Sequence, residues 1–242
     1  TNDTTGIPIS NVKAVNTGTI DLNSSTTNKD NIGILANKRA TGINEKNINV
    51  NSKSSVGMLA KEGSNIENNE AVILISNHQS NVDIPALLGY LPLDFSFIAK
   101  KEMKKWPAIG RWMRSFDCIF LDRKNARQGM KDMKDAISKI KKGHSYVIFP
   151  EGSRSKDGKI GEFKKGSFKL ATDTNARILP ITIVGTYEVQ SRKSLKITPN
   201  KNIKIIVDNP VELKNMSREE KKDVHNVVNK IIKDNFKKEK NL

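Results

Sequence analysis

In the stretch AVILISNHQSNVDIPALLGY (71–90), an apolar run stops, His78 follows almost at once, and Asp83 comes five residues later. A carboxylate on one nitrogen of an imidazole sets its tautomer and stabilises the imidazolium. The other nitrogen is then left to act as a general base. On one continuous helix, positions five apart point about 140° away from each other. His78 and Asp83 therefore meet only if the chain turns between them. Ser80, Asn81 and Asp83 favour turns or helix starts, and Pro85 suits a first helical turn. Taken alone, the pair reads more readily as a surface histidine beside a helix-capping aspartate.

Three further stretches end or interrupt apolar runs with polar or conformationally special residues. IFLDR ends at Arg123. VIFPEGSRS supplies Pro150, Glu151, Gly152, Ser153 and Arg154. RILPITIVG carries Pro180. A guanidinium at a strand end presents a planar fork suited to phosphate, and a glycine there lets the backbone approach a ligand closely. Singly, each residue also has an ordinary reading: Arg123 a surface ion pair, Glu151 a helix start, Pro180 a bulge or sheet edge.

The elements that must position these residues follow from periodicity. Apolar, β-branched runs predict strands at 71–76, 95–99, 117–121, 145–149, 179–184 and 203–207. Between the third and fourth strands, NARQGMKDMKDAISKIKKG places Met130, Met133, Ile137 and Ile140 on one helical face, with Gly143 to end it. SREE, with Ser217 and Glu220, is a capping-box pattern. It opens a tail helix with a stripe of Val224, Val227, Val228 and Ile231. Strands apolar on both faces and separated by helices predict an α/β fold with a mixed, largely parallel sheet flanked by helices. Ligands in such folds gather where strands end and loops begin.

Charge narrows the partners. The net charge is +16, yet residues 1–70 hold seven basic and seven acidic residues, so the excess lies in 71–242. All thirteen aromatics lie there too. A basic region of this kind seeks nucleic acid, an anionic membrane face, an acidic carrier protein or a phosphorylated substrate. No zinc spacing or aromatic-glycine RNA motif supports nucleic acid. Cys118 is the sole cysteine, which fits a reducing compartment. No run approaches the ~18 apolar residues of a spanning helix, and no signal peptide is visible at the start. The stretch KKEMKKWPAIGRWMRSF (100–116) mixes lysine and arginine with Trp106, Ile109, Trp112 and Phe116. Its composition suits a membrane-interfacial element, and equally a helix with a core face and a solvated basic face.

Residues 1–68 read as a separate Asn-rich segment ahead of a domain at 69–242. TIDLNSSTTNKDNIGILANK (19–38) and NINVNSKSSVGMLAKEG (47–63) repeat an Ile-x-(Leu/Val)-Asn strand and an (Ile/Val)-Gly-(Ile/Met)-Leu-Ala strand, offset by 28 and 24 residues. This pattern predicts either β-solenoid coils or a polar, disordered leader. It resembles passenger repeats of bacterial autotransporters.

Together and in order, the motifs of 71–185 resemble the glycerolipid acyltransferase family, nearest its bacterial 1-acyl-sn-glycerol-3-phosphate acyltransferases. NHQSNVD matches the family's Asn-His-x-Ser-x-x-Asp. FLDR, FPEGSRS and LPITIVG match its second, third and fourth motifs. AKKEMKKWPAIGRW and FKKGSFKLA match two intervening segments, and the likeness spans roughly 70–215. The resemblance implies transfer of a fatty acyl group from a thioester to the sn-2 hydroxyl of lysophosphatidic acid, giving phosphatidic acid. It implies His78 as base, with Asp83 orienting it. Arg123, Glu151 and Gly152 are expected at the acyl-acceptor site, with Lys100 and Arg154 as further phosphate contacts. Attack is expected to be direct, with Ser80 structural. No metal or bound cofactor is expected, the acyl group arriving on coenzyme A or acyl carrier protein. The expected place is the cytoplasmic face of a bacterial inner membrane, with peripheral attachment. Related acceptors are a different lysophospholipid or glycerol 3-phosphate. Many family members begin with hydrophobic helices, and the Asn-rich segment stands in that place here.

Overall fold

The computed structural model describes residues 71–240 except 92, 108, 123 and 195, and in 1–70 the backbone of five short strands. Those five are β1 (Ala14–Asn16), β2 (Ile20–Asn23), β3 (Gly42–Asn44), β4 (Ile48–Asn51) and β5 (Val56–Ala60). β1 pairs in parallel with β3, and β2 with β4, each at an offset of 28 residues. That is the spacing of the Ile-x-(Leu/Val)-Asn repeat. The expected strand at 32–36 lies outside the described residues.

The main sheet has seven strands in the order β5-β11-β10-β6-β9-β7-β8. Its members are β6 (Val72–Ser76), β7 (Phe95–Lys100), β8 (Ile119–Leu121), β9 (Ser145–Ile148), β10 (Arg177–Val184) and β11 (Ile203–Val207), with β5 on the edge. The five strands β10, β6, β9, β7 and β8 run parallel, β11 pairs antiparallel with β10, and β5 runs with β11. β5, which precedes the expected boundary at 68, pairs with β11 residue for residue.

Every residue of β6 is buried because both faces of the sheet are covered. Val72 and Leu74 face a cluster containing Leu87 of α1 (Asp83–Tyr90) and Met113 of α2 (Ile109–Ser115). Ile73 and Ile75 face Ala136 and Ile140 of α3 (Ala126–Lys141), Leu170 of α4 (Lys169–Thr174) and, beyond the single turn α5 (Thr186–Val189), Val224 of α6 (Arg218–Lys240). A period of two in the strand thus separates two layers of core.

Helix boundaries follow their local signals. Asn125 Oδ1 accepts from Gln128 N at the start of α3, and Gly143 beyond its end takes φ +95°. Ser217 and Glu220 each accept the other's backbone N–H at the head of α6. The apolar faces differ from expectation. Met130 is 63% exposed, and Ala136 takes the inward place instead. A Cβ on Gly129 would meet Asp122 O at 2.6 Å, so that glycine faces the β8 end and turns Met130 outward. In α6 the buried row is Val224, Val228, Ile232 and Phe236, a strict spacing of four, while Val227 falls outside it.

Pro180 lies inside the sheet, between β6 and β11, rather than at an edge. Across it the β10–β11 register shifts by one residue, from Ile181↔Val207 to Ile178↔Val211. A bulge there absorbs the N–H that proline lacks.

Candidate active site

Because β6, β7, β8, β9 and β10 are parallel, their C-terminal ends share one rim, and the expected site residues follow those ends. Just beyond β6, Asn77 Nδ2 donates to Ile183 O and Ile183 N donates to Asn77 Oδ1, both at 2.8 Å. The fully buried Asn77 side chain thus continues the β6–β10 ladder while its own backbone departs from it. His78 is released into a loop that two more bonds hold: His78 N donates to Glu151 Oε1 at 2.8 Å, and Ser155 N donates to His78 O at 2.8 Å.

The chain then turns through Ser80 to Val82 and enters α1 at Asp83. Three donors converge on Asp83 Oδ2: Gln79 N at 2.7 Å, Ser80 N at 2.9 Å and His78 Nδ1 at 2.7 Å. Backbone N–H groups make this oxygen an acceptor, so the Nδ1 facing it carries the proton. Nε2 then holds the lone pair. Asp83 is wholly buried, while the His78 side chain keeps 18% of its exposure. One face of the imidazole lies on Phe149, with ring centroids 4.1 Å apart and planes 18° apart. Edge and face are both held, and the free nitrogen is the one with a task left.

Glu151 and Gly152 follow β9. Glu151 Oε1 accepts from His78 N and Oε2 from Gly161 N, which ties together two loops of the rim. Burial raises its proton affinity above the ordinary carboxylate value of 4.5, against the opposing pull of those two N–H groups. Gly152 closes the turn, donating to Phe149 O at 3.1 Å with φ +75°, a conformation costly for a side chain.

The remaining expected residues stand further off. Lys100 is exposed at the end of β7, level with Pro150 and Asn77 in the ladder but two strands from β6, about 10 Å at ordinary strand spacing. Arg154 is half-buried, and its carbonyl accepts from Arg192 Nη1 at 3.1 Å. Arg123 lies outside the described residues. Its neighbours are tethered: Asp122 Oδ1 accepts from the N–H groups of Lys124 and Asn125, and Oδ2 from Lys101 Nζ. The Lys101 hydrogen bond, with those two N–H groups, holds the Asp122 carboxyl down at about 2. Among the described residues no three His, Cys, Asp or Glu side chains cluster as metal ligands.

Three residues around the imidazole had no assigned part in the sequence reading: Asn77 as the pin, Phe149 as the stacking face, and Ser155 as the tie to His78 O. Their positions inside matched motifs were visible, but their partners are 71 to 106 positions away and carry no local signal.

The arrangement suits proton abstraction from a hydroxyl presented at the rim. Residues 59–184 match the family model described as Acyltransferase. The chain is 38% identical over 139 residues to the chloroplastic 1-acyl-sn-glycerol-3-phosphate acyltransferase of Arabidopsis thaliana, covering 57% of this chain and 39% of that protein. It is 32% identical over 182 residues to a probable 1-acyl-sn-glycerol-3-phosphate acyltransferase of Mycoplasma genitalium, covering 70% and 67%. It spans about two fifths of the chloroplast relatives' length. The crystal structure of the 1-acyl-sn-glycerophosphate acyltransferase PlsC from Thermotoga maritima superposes with a TM-score of 0.65 at 32% identity, over 76% of this chain and 72% of that one. Fold, motif order and sequence agree, and the chain belongs to the Acyltransferase family.

Proposed function

We propose that this chain transfers a fatty acyl group from a thioester to the sn-2 hydroxyl of lysophosphatidic acid, forming phosphatidic acid. The observation that carries the reading is the His78–Asp83 contact at 2.7 Å, with the imidazole at the open rim. His78 Nε2 takes the hydroxyl proton as the oxygen attacks the thioester carbonyl. Collapse of the tetrahedral adduct breaks the C–S bond, and the imidazolium returns its proton to the departing thiolate. Asp83 stabilises the transient cation and selects the Nδ1–H tautomer of the neutral ring, which leaves the lone pair on Nε2.

The acceptor phosphate meets the cationic rim, where Arg123, Lys100 and Arg154 are the proposed contacts. Glu151 and Gly152 shape the acceptor loop, Glu151 through the two N–H groups it holds. The reaction requires no redox or electrophilic cofactor, and the acyl donor is a coenzyme A or acyl-carrier-protein thioester. Both donors and the acceptor are anionic, which suits the basic charge of 71–242. No helix among the described residues is long and apolar enough to cross a membrane. We place the enzyme on the cytoplasmic face of a bacterial inner membrane, held peripherally at an anionic lipid surface.

The test is thioester consumption with lysophosphatidate as acceptor, run beside glycerol 3-phosphate and other lysophospholipids. Turnover with lysophosphatidate that vanishes in His78→Ala supports the assignment. Near-normal turnover in that variant removes His78 as base, and a preference for another acceptor reassigns the substrate.

A further inference from the structure

Six large apolar side chains are exposed among the described residues, and three of them, Trp106, Ile109 and Phe116, fall within one short segment at 52%, 47% and 41% exposure. Ile109, Trp112 and Phe116, at steps of three and four, fall within about 60° of one another at 100° per residue. Trp112 and Phe116 pack ring on ring at 4.5 Å. The inward side of the same helix is Gly110 and Met113. Trp112 is itself partly buried against the core, so what is left over once the helix has packed is the exposed pair Ile109 and Phe116, with Trp106 just ahead of the helix.

The segment is also rigid. A Cβ on Gly110 would lie 2.4 Å from Lys104 O, so α2 sits against the 3-10 turn Lys101–Lys105 with no room between. Arg114 Nη1 donates to Lys104 O at 3.0 Å. Beside the stripe, Lys104, Lys105 and Arg111 are exposed, and none has a carboxylate within 4 Å among the described residues. The acids of the segment are already engaged, Glu102 by Lys124 and Asp117 by Lys139. Exposed aromatic and aliphatic groups ringed by unpaired cations match an anionic lipid surface, into which rings insert while cations meet phosphates.

We propose that the face formed by Trp106, Ile109, Trp112 and Phe116, with Lys104, Lys105 and Arg111, is the surface by which this chain docks on anionic bilayers. The proposal rests on the acyltransferase reading and deepens it. The segment starts where β7 ends, on the rim that carries His78, and runs back along the sheet to Phe116, whose carbonyl accepts from Ser96 Oγ near the start of β7, so docking lays the flank next to that rim on the lipid surface. A lipid acceptor then reaches His78 without leaving the membrane surface.

The chain's two tryptophans, Trp106 and Trp112, both lie on this face, which makes it self-reporting. The full chain is mixed, without acyl donor, with vesicles of phosphatidylcholine alone or of phosphatidylcholine and phosphatidylglycerol in equal amounts, with and without brominated acyl chains. Expected are co-sedimentation with the anionic vesicles only, and tryptophan quenching by the brominated ones. Each charge removal, such as Lys105→Gln or Arg111→Gln, lowers partitioning about fivefold. Trp106→Ser with Phe116→Ser lowers it at least about tenfold. Charge-matched Lys222→Gln with Lys230→Gln on α6 leaves it unchanged. Binding without quenching, equal binding to neutral vesicles, or equal losses in the α6 variants overturns the proposal. No turnover is read, so failure here bears on docking and failure of the thioester assay bears on the chemistry.

Discussion

The corner at His78 lies on the C-terminal rim of the sheet, the face at 104–116 runs from that rim down the flank, and the two are built in opposite ways. In the corner, the bonds of Asn77 with Ile183, of His78 with Glu151 and of Ser155 with His78 join residues 73 to 106 positions apart, and Asn77 and Asp83 are fully buried. In the docking face, the contacts Gly110 to Trp106, Arg114 to Lys104 and Trp112 to Phe116 join residues four to ten positions apart, and Trp106, Ile109 and Phe116 are exposed. Base catalysis needs one nitrogen in one place, which only a convergence of distant segments can enforce. Docking on a fluid lipid surface needs a composition held on one side, which a short rigid helix supplies.

If that contrast is sound, single changes in the corner are large and non-additive, while changes in the face are small and sum. The largest effect is His78→Ala, which lowers kcat by about 10²–10⁴-fold in the thioester assay. Adding Asp83→Asn to it costs little more, because both residues serve one step. Two additive losses would break the comparison. Asn77→Leu strands the buried N–H and C=O of Ile183 and lowers unfolding free energy by about 2–4 kcal/mol in denaturant titration.

Glu151→Gln comes next, since an amide can accept for only one of the two N–H groups, a cost of about 1–3 kcal/mol. Its pH dependence sharpens the point. Burial makes the folded chain hold the Glu151 proton more tightly than the unfolded chain does. The contribution of Glu151 is therefore fullest below 4.5 and is lost as pH rises through the raised value. Stability measured over the acidic range should shift in favour of the Gln variant as pH rises.

Phe149→Leu keeps apolar bulk but removes the face on which an imidazolium rests. It lowers kcat by about threefold to thirtyfold with KM unchanged, and Phe149→Tyr restores it. A change in KM alone would return Phe149 to the packing. At the small end, Met130→Gln on the solvent side of α3 moves stability by less than about 0.5 kcal/mol. Ile140→Ala on the buried side costs about 2–5 kcal/mol.

The six strands of 71–207 were readable within one or two residues because each is rich in apolar, β-branched or aromatic residues, β6 with every residue buried being the clearest case. The cap at Ser217 and the stop at Gly143 were readable because their partners lie within a turn. The inward face of α3 was misjudged because Gly129 approaches the β8 end, and that fact belongs to no single segment. β5 could not be assigned to the sheet edge from its own sequence, since its pairing with β11 spans nearly 150 residues.

Local chemistry alone determined which residues were available: a histidine and an aspartate separated by turn formers, a basic and aromatic segment, and apolar runs of strand length. Only the tertiary structure decided that Asp83 reaches back to His78 through an oxygen already held by two backbone amides. Only it supplied Phe149 and Glu151 to fix the ring and its loop. The reason is range: periodicity and capping act over a few residues, whereas the position of one imidazole nitrogen depends on where β6, β9 and β10 end relative to one another.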